Sequence, residues 1–250
     1  MAPLSPLRRR DGRPGMLASV RCGSEAEICL AAGADLIDAK DPATGALGAL
    51  DDREIARIVG TVSGRRLVSA TVGDLPCDPD VLVGAALRTA MCGVDLVKIG
   101  LWPGPGAASA IMALGGARLE GRFGRAELVA VMLADLSIDP TLLPLLGRAG
   151  FVAVMLDTAG KSGGGLLDAL SRPEIATFVQ AARDENLAVG LAGSLRTGHI
   201  AALIDLDADI LGFRGALCEG QSRTGAIAPS AVLAVREAIW AAAGVRQSAE

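Results

Sequence analysis

The stretch Leu36-Ile37-Asp38-Ala39-Lys40-Asp41-Pro42 decides how this chain is interpreted, because an apolar run ends there in a lysine flanked by two carboxylates. A short apolar run bounded by turn-forming residues is typical of a buried strand in a parallel sheet. In parallel-sheet enzymes the chemistry is carried by polar residues at the C-terminal ends of the strands. Lys40 is therefore the first candidate for a catalytic residue.

Lysine is scarce in this chain. Of 24 lysines and arginines only three are lysine, namely Lys40, Lys98 and Lys161. Lys98 ends a second apolar run and Lys161 follows a third, so each of the three lysines lies at or just after the end of a predicted strand. An amine can attack a carbonyl, whereas a guanidinium stays protonated, so we interpret these lysines as retained for amine chemistry. Retention by chance is the alternative.

Length, hydrophobic content and net charge limit the class of protein. A chain of 250 residues that is 51% hydrophobic can bury one large core or two small ones. The net charge of -4 creates no basic surface, so a nucleic-acid partner is not expected. No apolar stretch is long enough for a membrane span. Residues 1–15 are predicted to form a loose N-terminal tail without a secretory signal.

Cysteine and histidine usage disfavours several chemistries. The five cysteines show no Cys-x-x-Cys spacing, which is typical of a reduced, cytoplasmic protein. His199 is the only histidine, so a zinc site built on imidazoles is disfavoured, and so is a Ser-His-Asp triad. We expect His199 to have a surface or capping role. Nothing in the sequence requires a metal or an organic cofactor.

Eight apolar or β-branched runs alternate with amphipathic segments, which predicts alternating strands and helices. The predicted strands cover residues 17–21, 36–40, 67–72, 96–100, 128–133, 152–157, 188–192 and 210–214. Eight units in about 230 residues match a single-domain (β/α)8 TIM barrel, an α/β fold, over residues 16–245. An open doubly wound sheet is the alternative, but its usual Gly-x-Gly-x-x-Gly turn is missing after the first strand.

Fewer helices can be delimited than strands. The first is predicted to begin at Ser24, with Glu27 completing a capping box. The other predicted helices cover residues 51–59, 79–91, 107–114 and 230–242. The glycine- and arginine-rich residues 115–125 are predicted to form one long surface loop.

Strand geometry predicts which polar side chains meet. Because strand side chains alternate, Asp38 faces the same side as Lys40, one layer lower. Interior layers of a barrel draw on alternate strands, so Lys40, Lys98 and Asp157 can reach one level. The alternative is that Lys40–Asp38 and Lys98–Asp157 are simply buried ion pairs.

This grouping suggests a reaction. Two neighbouring amines repel each other when charged, which favours a neutral amine that adds to an aldehyde or ketone as a Schiff base. A second group can then move the α proton. Gly193-Ser194 and Arg214-Gly215 follow the last two strands, where many barrels bind phosphate, although plain tight turns are the alternative. The residues predict a Schiff-base enzyme acting on a small phosphorylated carbonyl compound.

Seven segments and Lys161 together match the pattern of a known family. The segments are residues 36–42, 45–49, 68–74, 97–101, 155–159, 191–195 and 214–216. With these segments in this order, the chain resembles the (5-formylfuran-3-yl)methyl phosphate synthases from about residue 17 to 240. No family pattern is found in residues 1–15 or 102–125.

The resemblance implies a lyase that condenses two molecules of glyceraldehyde 3-phosphate, releasing phosphate and water, in methanofuran-type cofactor biosynthesis. It implies that Lys40 forms the Schiff base and Lys98 accepts a proton, supported by Asp38, Asp157 and Lys161. A class I aldolase of another phosphosugar and a non-catalytic barrel that binds a phosphate ligand remain alternatives. We expect a homo-oligomer with a small-molecule substrate.

Overall fold

Eight parallel strands close into a barrel in the order β1 to β8, so the predicted (β/α)8 fold is confirmed and the open sheet is excluded. The structure is a computed structural model that describes residue 7 and residues 12–160 and 164–244. The strands are Gly15–Val20 (β1), Leu36–Ala39 (β2), Leu67–Thr71 (β3), Leu96–Leu101 (β4), Glu127–Leu133 (β5), Ala153–Asp157 (β6), Ala188–Leu191 (β7) and Ile210–Phe213 (β8).

Helices surround this barrel and connect its strands. They are Gly23–Ala31 (α1), Asp52–Val62 (α2), Pro79–Met91 (α3), Gly106–Leu119 (α4), Leu142–Arg148 (α5), Leu166–Ala169 (α6), Arg172–Asp184 (α7), Ile200–Leu203 (α8) and Pro229–Ala242 (α9). Short 3-10 helices cover Thr197–His199, Gly215–Leu217 and Glu219–Gln221. Within the described ranges no helix is both long and apolar enough to cross a bilayer.

Local sequence explains where two of the helices begin. Asp51 accepts a hydrogen bond from the Glu54 backbone N–H, and Asp78 accepts one from that of Val81. Pro79 follows Asp78 at the first helical position, where its missing N–H has no cost. His199 caps a 3-10 helix by accepting from the Arg196 backbone N–H through Nδ1, in line with its predicted capping role.

The predicted capping box at Ser24 is wrong. Helix α1 is preceded by Cys22, whose side chain makes no capping hydrogen bond. Glu27 instead pairs with Arg65, and the buried Glu25 accepts from the Arg21 backbone N–H at 2.9 Å. Glu25 also pairs with the side chains of Arg21 and Arg214, so this glutamate of the first turn is a partner for two arginines.

The predicted surface loop over residues 115–125 is wrong in its first part, because α4 continues to Leu119. Gly115 lies against the end of α5, where an added Cβ would stand 2.8 Å from the Ala149 Cβ. The glycine therefore permits a close approach between α4 and α5, a packing role that favours retaining glycine inside a helix.

The core has two layers. One lies between the strands and the helices, and the other fills the barrel with inward side chains that include Leu17, Leu36 and Met155. Leu7 belongs to the inner cluster, and Arg13 pairs with Asp35 at 2.9 Å. The described part of the predicted tail therefore contacts the barrel, while the boundary of the domain at residue 16 stays a prediction.

Candidate active site

Four charged side chains point into the barrel near the C-terminal ends of the strands. Lys40, Lys98, Asp38 and Asp157 have relative exposures of 8%, 3%, 0% and 6%. Burying four charges is costly unless each is paired and hydrogen-bonded. The structure meets this requirement with two ion pairs.

The deeper pair joins Lys98 on β4 to Asp38 on β2, with Nζ 3.0 Å from Oδ2. The hydroxyls of Ser19 and Ser69 also donate to Asp38, at 3.0 and 2.6 Å. Both serines are aligned with Asp38 in the strand register. Three donors thus fix the position of this buried carboxylate and satisfy its hydrogen-bonding capacity.

The upper pair joins Lys40, just after β2, to Asp157 at the end of β6, with Nζ 3.1 Å from Oδ2. The other oxygen of Asp157 accepts from the Thr158 backbone N–H at 2.8 Å. The partners differ from the pairing considered from the sequence, which joined Lys40 to Asp38 and Lys98 to Asp157. Residues two apart along a strand are roughly 6.6 Å apart, so Asp38 lies a layer below Lys40.

Lys161 lies outside the described residues. The chain just before it is anchored to the end of β5, because Asp135 accepts backbone N–H bonds from Ala159 at 2.7 Å and Gly160 at 2.6 Å.

A cavity of about 190 Å³ opens beside Lys40. Lys98 and Asp157 line it from below, and the loops that follow β7 and β8 line it from above. All four residues predicted to bind phosphate belong to this lining, namely Gly193, Ser194, Arg214 and Gly215. The fold therefore places Lys40, Lys98 and the predicted phosphate loops around one cavity.

Gly193 has a specific reason to be glycine. Its φ is +103°, in the region that side chains rarely adopt, and an added Cβ would stand 3.0 Å from Thr158 Cγ2. Ser194 follows with φ of +51°. This left-handed pair turns the chain sharply at the edge of the cavity.

Arg214 does not have the role expected of it from sequence. Every N–H of its guanidinium already donates to a protein acceptor. Two bonds go to the buried Glu25, at 2.5 and 3.2 Å, and the other acceptors are the carbonyls of Ser19, Arg223 and Gly225. Arg214 therefore fastens β8 to β1, α1 and the turn before α9, and it has no donor to spare for a ligand.

Sequence reasoning missed Arg223, which also lines the cavity. It lies in the turn before α9, and its Nη2 donates to the Gly45 carbonyl at 2.9 Å. Burial lowers the pKa of the Arg223 guanidinium, while the carboxylates of Asp157, Asp74 and Asp41 act in the opposite direction. No strand end precedes Arg223, so the pattern used to find the other residues could not identify it.

Sequence reasoning also missed the fixed shape of residues 41–50, between β2 and α2. Asp74 accepts backbone N–H bonds from Ala46 and Leu47, each at 2.8 Å. This places the fully buried Leu47 over β4, where an added Cβ on Gly100 would stand 2.6 Å from Leu47 Cδ1. The loop therefore covers the β4 side of the barrel mouth.

Buried lysine–carboxylate pairs beside a cavity at the C-terminal mouth define the chain as a TIM-barrel enzyme. The model of the 4-HFC-P synthase family matches residues 16–236. The (5-formylfuran-3-yl)methyl phosphate synthase of Methanopyrus kandleri is 39% identical over 235 residues, covering 91% of this chain and 99% of that protein. The synthase of Archaeoglobus fulgidus is 37% identical over 234 residues, covering 90% and 98%. The chain belongs to the 4-HFC-P synthase family.

Solved structures with other activities share the fold. Phosphoribosyl anthranilate isomerase from Thermus thermophilus superposes with a TM-score of 0.63 at 13% identity, covering 91% of this chain and 98% of that one. Thiamine phosphate pyrophosphorylase from Pyrococcus furiosus gives 0.61 at 11% identity, covering 93% and 98%. At such low identity these similarities show the barrel alone.

Proposed function

We propose that this chain is a (5-formylfuran-3-yl)methyl phosphate synthase, a carbon–oxygen lyase of methanofuran-type cofactor biosynthesis. In this proposal it condenses two molecules of glyceraldehyde 3-phosphate and releases one phosphate and two waters. The observation that carries the proposal is that Lys40 and Lys98 both line one cavity, each held by a carboxylate. The names of the relatives from Methanopyrus kandleri and Archaeoglobus fulgidus support the same activity.

Lys40 is the proposed nucleophile. Its amine adds to the aldehyde carbon of the first triose, and loss of water gives an imine whose cationic nitrogen draws electrons from the neighbouring carbon. Asp157, 3.1 Å from Nζ, takes the ammonium proton before the attack and returns it to the departing hydroxyl.

Lys98 is the proposed acceptor of the α proton. Its Nζ first passes one proton to Asp38, 3.0 Å away, so that the neutral amine can remove the α proton from the imine; this gives an enamine and restores the ammonium. The bonds from Ser19 and Ser69 hold Asp38 in place for this exchange.

The enamine carbon then attacks the aldehyde of the second triose. Dehydration, ring closure and loss of one phosphate produce the furan. We propose that Lys161 assists these steps, as the family resemblance implies. The phosphoryl group that is retained would be held near Gly193, Ser194 and Gly215, because these residues line the cavity beside Lys40.

Product analysis and imine trapping test the proposal together. We expect incubation with glyceraldehyde 3-phosphate to yield a furan with strong ultraviolet absorbance. Borohydride added during turnover should leave a substrate-dependent mass on Lys40, which Lys40→Ala would lack. A simple aldol without furan would favour the aldolase alternative. Ligand-dependent stabilisation without any product would favour the binding-protein alternative.

We also propose that the protein works as a homo-oligomer in the cytoplasm. Met91, Met112 and Leu119 are 87%, 57% and 86% exposed on α3 and α4, so these helices present large apolar side chains that a second subunit could cover. The five cysteines are all free thiols, in keeping with a reducing compartment. Light scattering after size-exclusion chromatography measures the subunit number, and a monomer at micromolar concentration would reject the oligomer.

A further inference from the structure

The cavity lacks a free cation among the residues first expected to supply one. Lys40 is paired with Asp157, Lys98 with Asp38, and Arg214 with Glu25. Each of these charges is therefore already balanced by a carboxylate. A phosphoryl group carries up to two negative charges, and enclosing it in a cavity calls for a cation that is not already neutralised.

Arg223 is such a cation. Within the described ranges it forms no ion pair with a carboxylate, and its one hydrogen bond runs from Nη2 to the Gly45 carbonyl at 2.9 Å. The Nε and Nη1 donors thus remain available for a ligand. The side chain is half-buried, and that burial is the main reason why the pKa of its guanidinium is lowered. In the described part of the chain, Asp157, Asp74 and Asp41 act on this guanidinium without forming an ion pair with it, so an anion can still bind it directly.

The turn that carries Arg223 is held from behind. Arg214 donates from Nε to the Arg223 carbonyl at 2.8 Å and from Nη2 to the Gly225 carbonyl at 3.0 Å. Arg214 is itself anchored to Glu25. Arg214, which was expected to bind the ligand, thus positions the turn that carries Arg223, and Arg223 lines the cavity.

We propose that Arg223 binds the phosphoryl group of the substrate. Its planar fork of N–H donors matches two oxygens of a phosphate, and the amides of the Gly193 turn lie across the same cavity. Arg196 also lines the cavity but is exposed, so water competes with its interactions. This inference rests on the proposed function for the identity of the substrate, but the anion site can be measured without turnover.

Isothermal titration with inorganic phosphate measures the site directly. Arg223→Met, which removes the charge and keeps a similar length, should weaken phosphate binding roughly 10- to 100-fold. Arg223→Lys, which keeps the charge and loses the fork, should recover part of that loss. Arg125→Met is the matched control, because Arg125 also donates from Nη2 to a glycine carbonyl at 2.9 Å, on the outside of the barrel. Its phosphate affinity should equal that of the wild type.

A second variant separates direct binding from an effect on the loop between β2 and α2. Asp74→Asn weakens the anchor of that loop and removes a carboxylate that opposes anion binding at Arg223, so a loss of phosphate affinity in this variant can come only from the loop. We expect it to change phosphate affinity less than threefold. Equal losses in Asp74→Asn and Arg223→Met would show that Arg223 merely fastens the loop at Gly45, which would overturn the proposal.

Two further results would also reject it. The first is an Arg223→Met protein that unfolds at the wild-type temperature and binds phosphate with wild-type affinity. The second is a loss of phosphate affinity in Arg196→Met that Arg223→Met does not show. Failure of the proposed function has a different appearance: phosphate would still bind through Arg223, but glyceraldehyde 3-phosphate would give no furan. If Arg223→Met does not fold, Arg223→Lys takes its place in the comparison. Unchanged phosphate affinity and an unchanged KM for glyceraldehyde 3-phosphate in Arg223→Lys would show that the paired N–H donors of the guanidinium are not needed, and this would overturn the proposal.

Discussion

Lys40 and Asp157 meet inside the barrel, with Nζ 3.1 Å from Oδ2, although 117 positions separate them in the chain. Lys98 and Asp38 form the second contact of this kind, below the first. The two lysines have different surroundings, since Asp38 accepts from two serines as well and Asp157 accepts from a backbone amide. Different surroundings support different roles, and these can be separated by experiment.

Removing the amine of Lys98 should block turnover without blocking imine formation. We expect Lys98→Met to lower kcat roughly 10²- to 10⁴-fold, the usual contribution of a general acid or base. Borohydride should still label Lys40 in this variant, as shown by peptide mapping. Lys98→Arg keeps the positive charge but cannot act as a base, and it should be equally slow. Normal turnover in either variant would contradict the assigned role.

Breaking the Lys98–Asp38 pair from one side should destabilise the fold. Asp38 is fully buried and Lys98 nearly so, so Asp38→Asn leaves an ammonium without its counter-charge. We expect the free energy of unfolding to fall by about 3–5 kcal/mol. Urea unfolding of Asp38→Asn, Lys98→Met and the double variant forms a cycle. The double variant should be more stable than the sum of the single losses predicts, and strict additivity would mean that the pair contributes nothing.

Gly193 should not tolerate a side chain. Its φ of +103° and the 3.0 Å approach of an added Cβ to Thr158 predict a loss of about 1–3 kcal/mol in Gly193→Ala. The sharp turn lines the cavity, so phosphate affinity should fall too. Gly198→Ala is the control, because an added Cβ there meets nothing within 4 Å. Thermal unfolding and phosphate titration of the two variants should therefore differ clearly.

The Cys29 thiol should make stability depend on pH in alkaline solution. Burial raises its pKa from 9.0 to about 12, so the unfolded chain releases this proton at a lower pH than the folded protein. The free energy of unfolding should therefore fall between pH 9 and pH 12, by up to about 1.4 kcal/mol per pH unit. Below pH 9 this thiol contributes no slope.

Cys29→Ala should flatten that part of the profile, as measured by urea unfolding at several pH values. The change of slope is the readout, since the smaller side chain also shifts stability equally at every pH. Ile58→Val, at a fully buried position without a titratable group, should lower stability equally at every pH and leave the slope as it is in the wild type. An identical slope in Cys29→Ala and the wild type would place the thiol in water instead of in the core.

The barrel and its lysines were predictable because their signals are local. The run from Leu36 to Lys40 has the apolar character of a buried strand and a polar end, and the runs before Lys98 and Asp157 repeat this pattern. Alternation along a strand then shows which side chains face inward. These rules predicted that Lys40, Lys98, Asp38 and Asp157 lie near one another, and the structure brings all four together in two neighbouring ion pairs.

The pairing inside that site was not predictable, because it depends on how the strands tilt and stagger in the closed barrel. The same limit applies to Arg214, whose partner Glu25 belongs to the first helix, 189 positions away. Arg223 lies in a turn that has no periodic pattern. Gly115 was predicted to begin a surface loop, yet it lies inside α4, where its small size permits the contact with Ala149.

The loop that carries Leu47 affects how substrate reaches Lys40. Held by the carboxylate of Asp74, residues 41–50 cover the β4 side of the mouth, while the loops after β7 and β8 border the cavity beside Lys40. In the proposed reaction, two trioses have to reach Lys40 in this one cavity of about 190 Å³. The second molecule would have to wait until the first has reached the lysine. At high concentration the substrate would then inhibit its own conversion, because a second molecule could occupy the cavity before the first has reacted with the lysine.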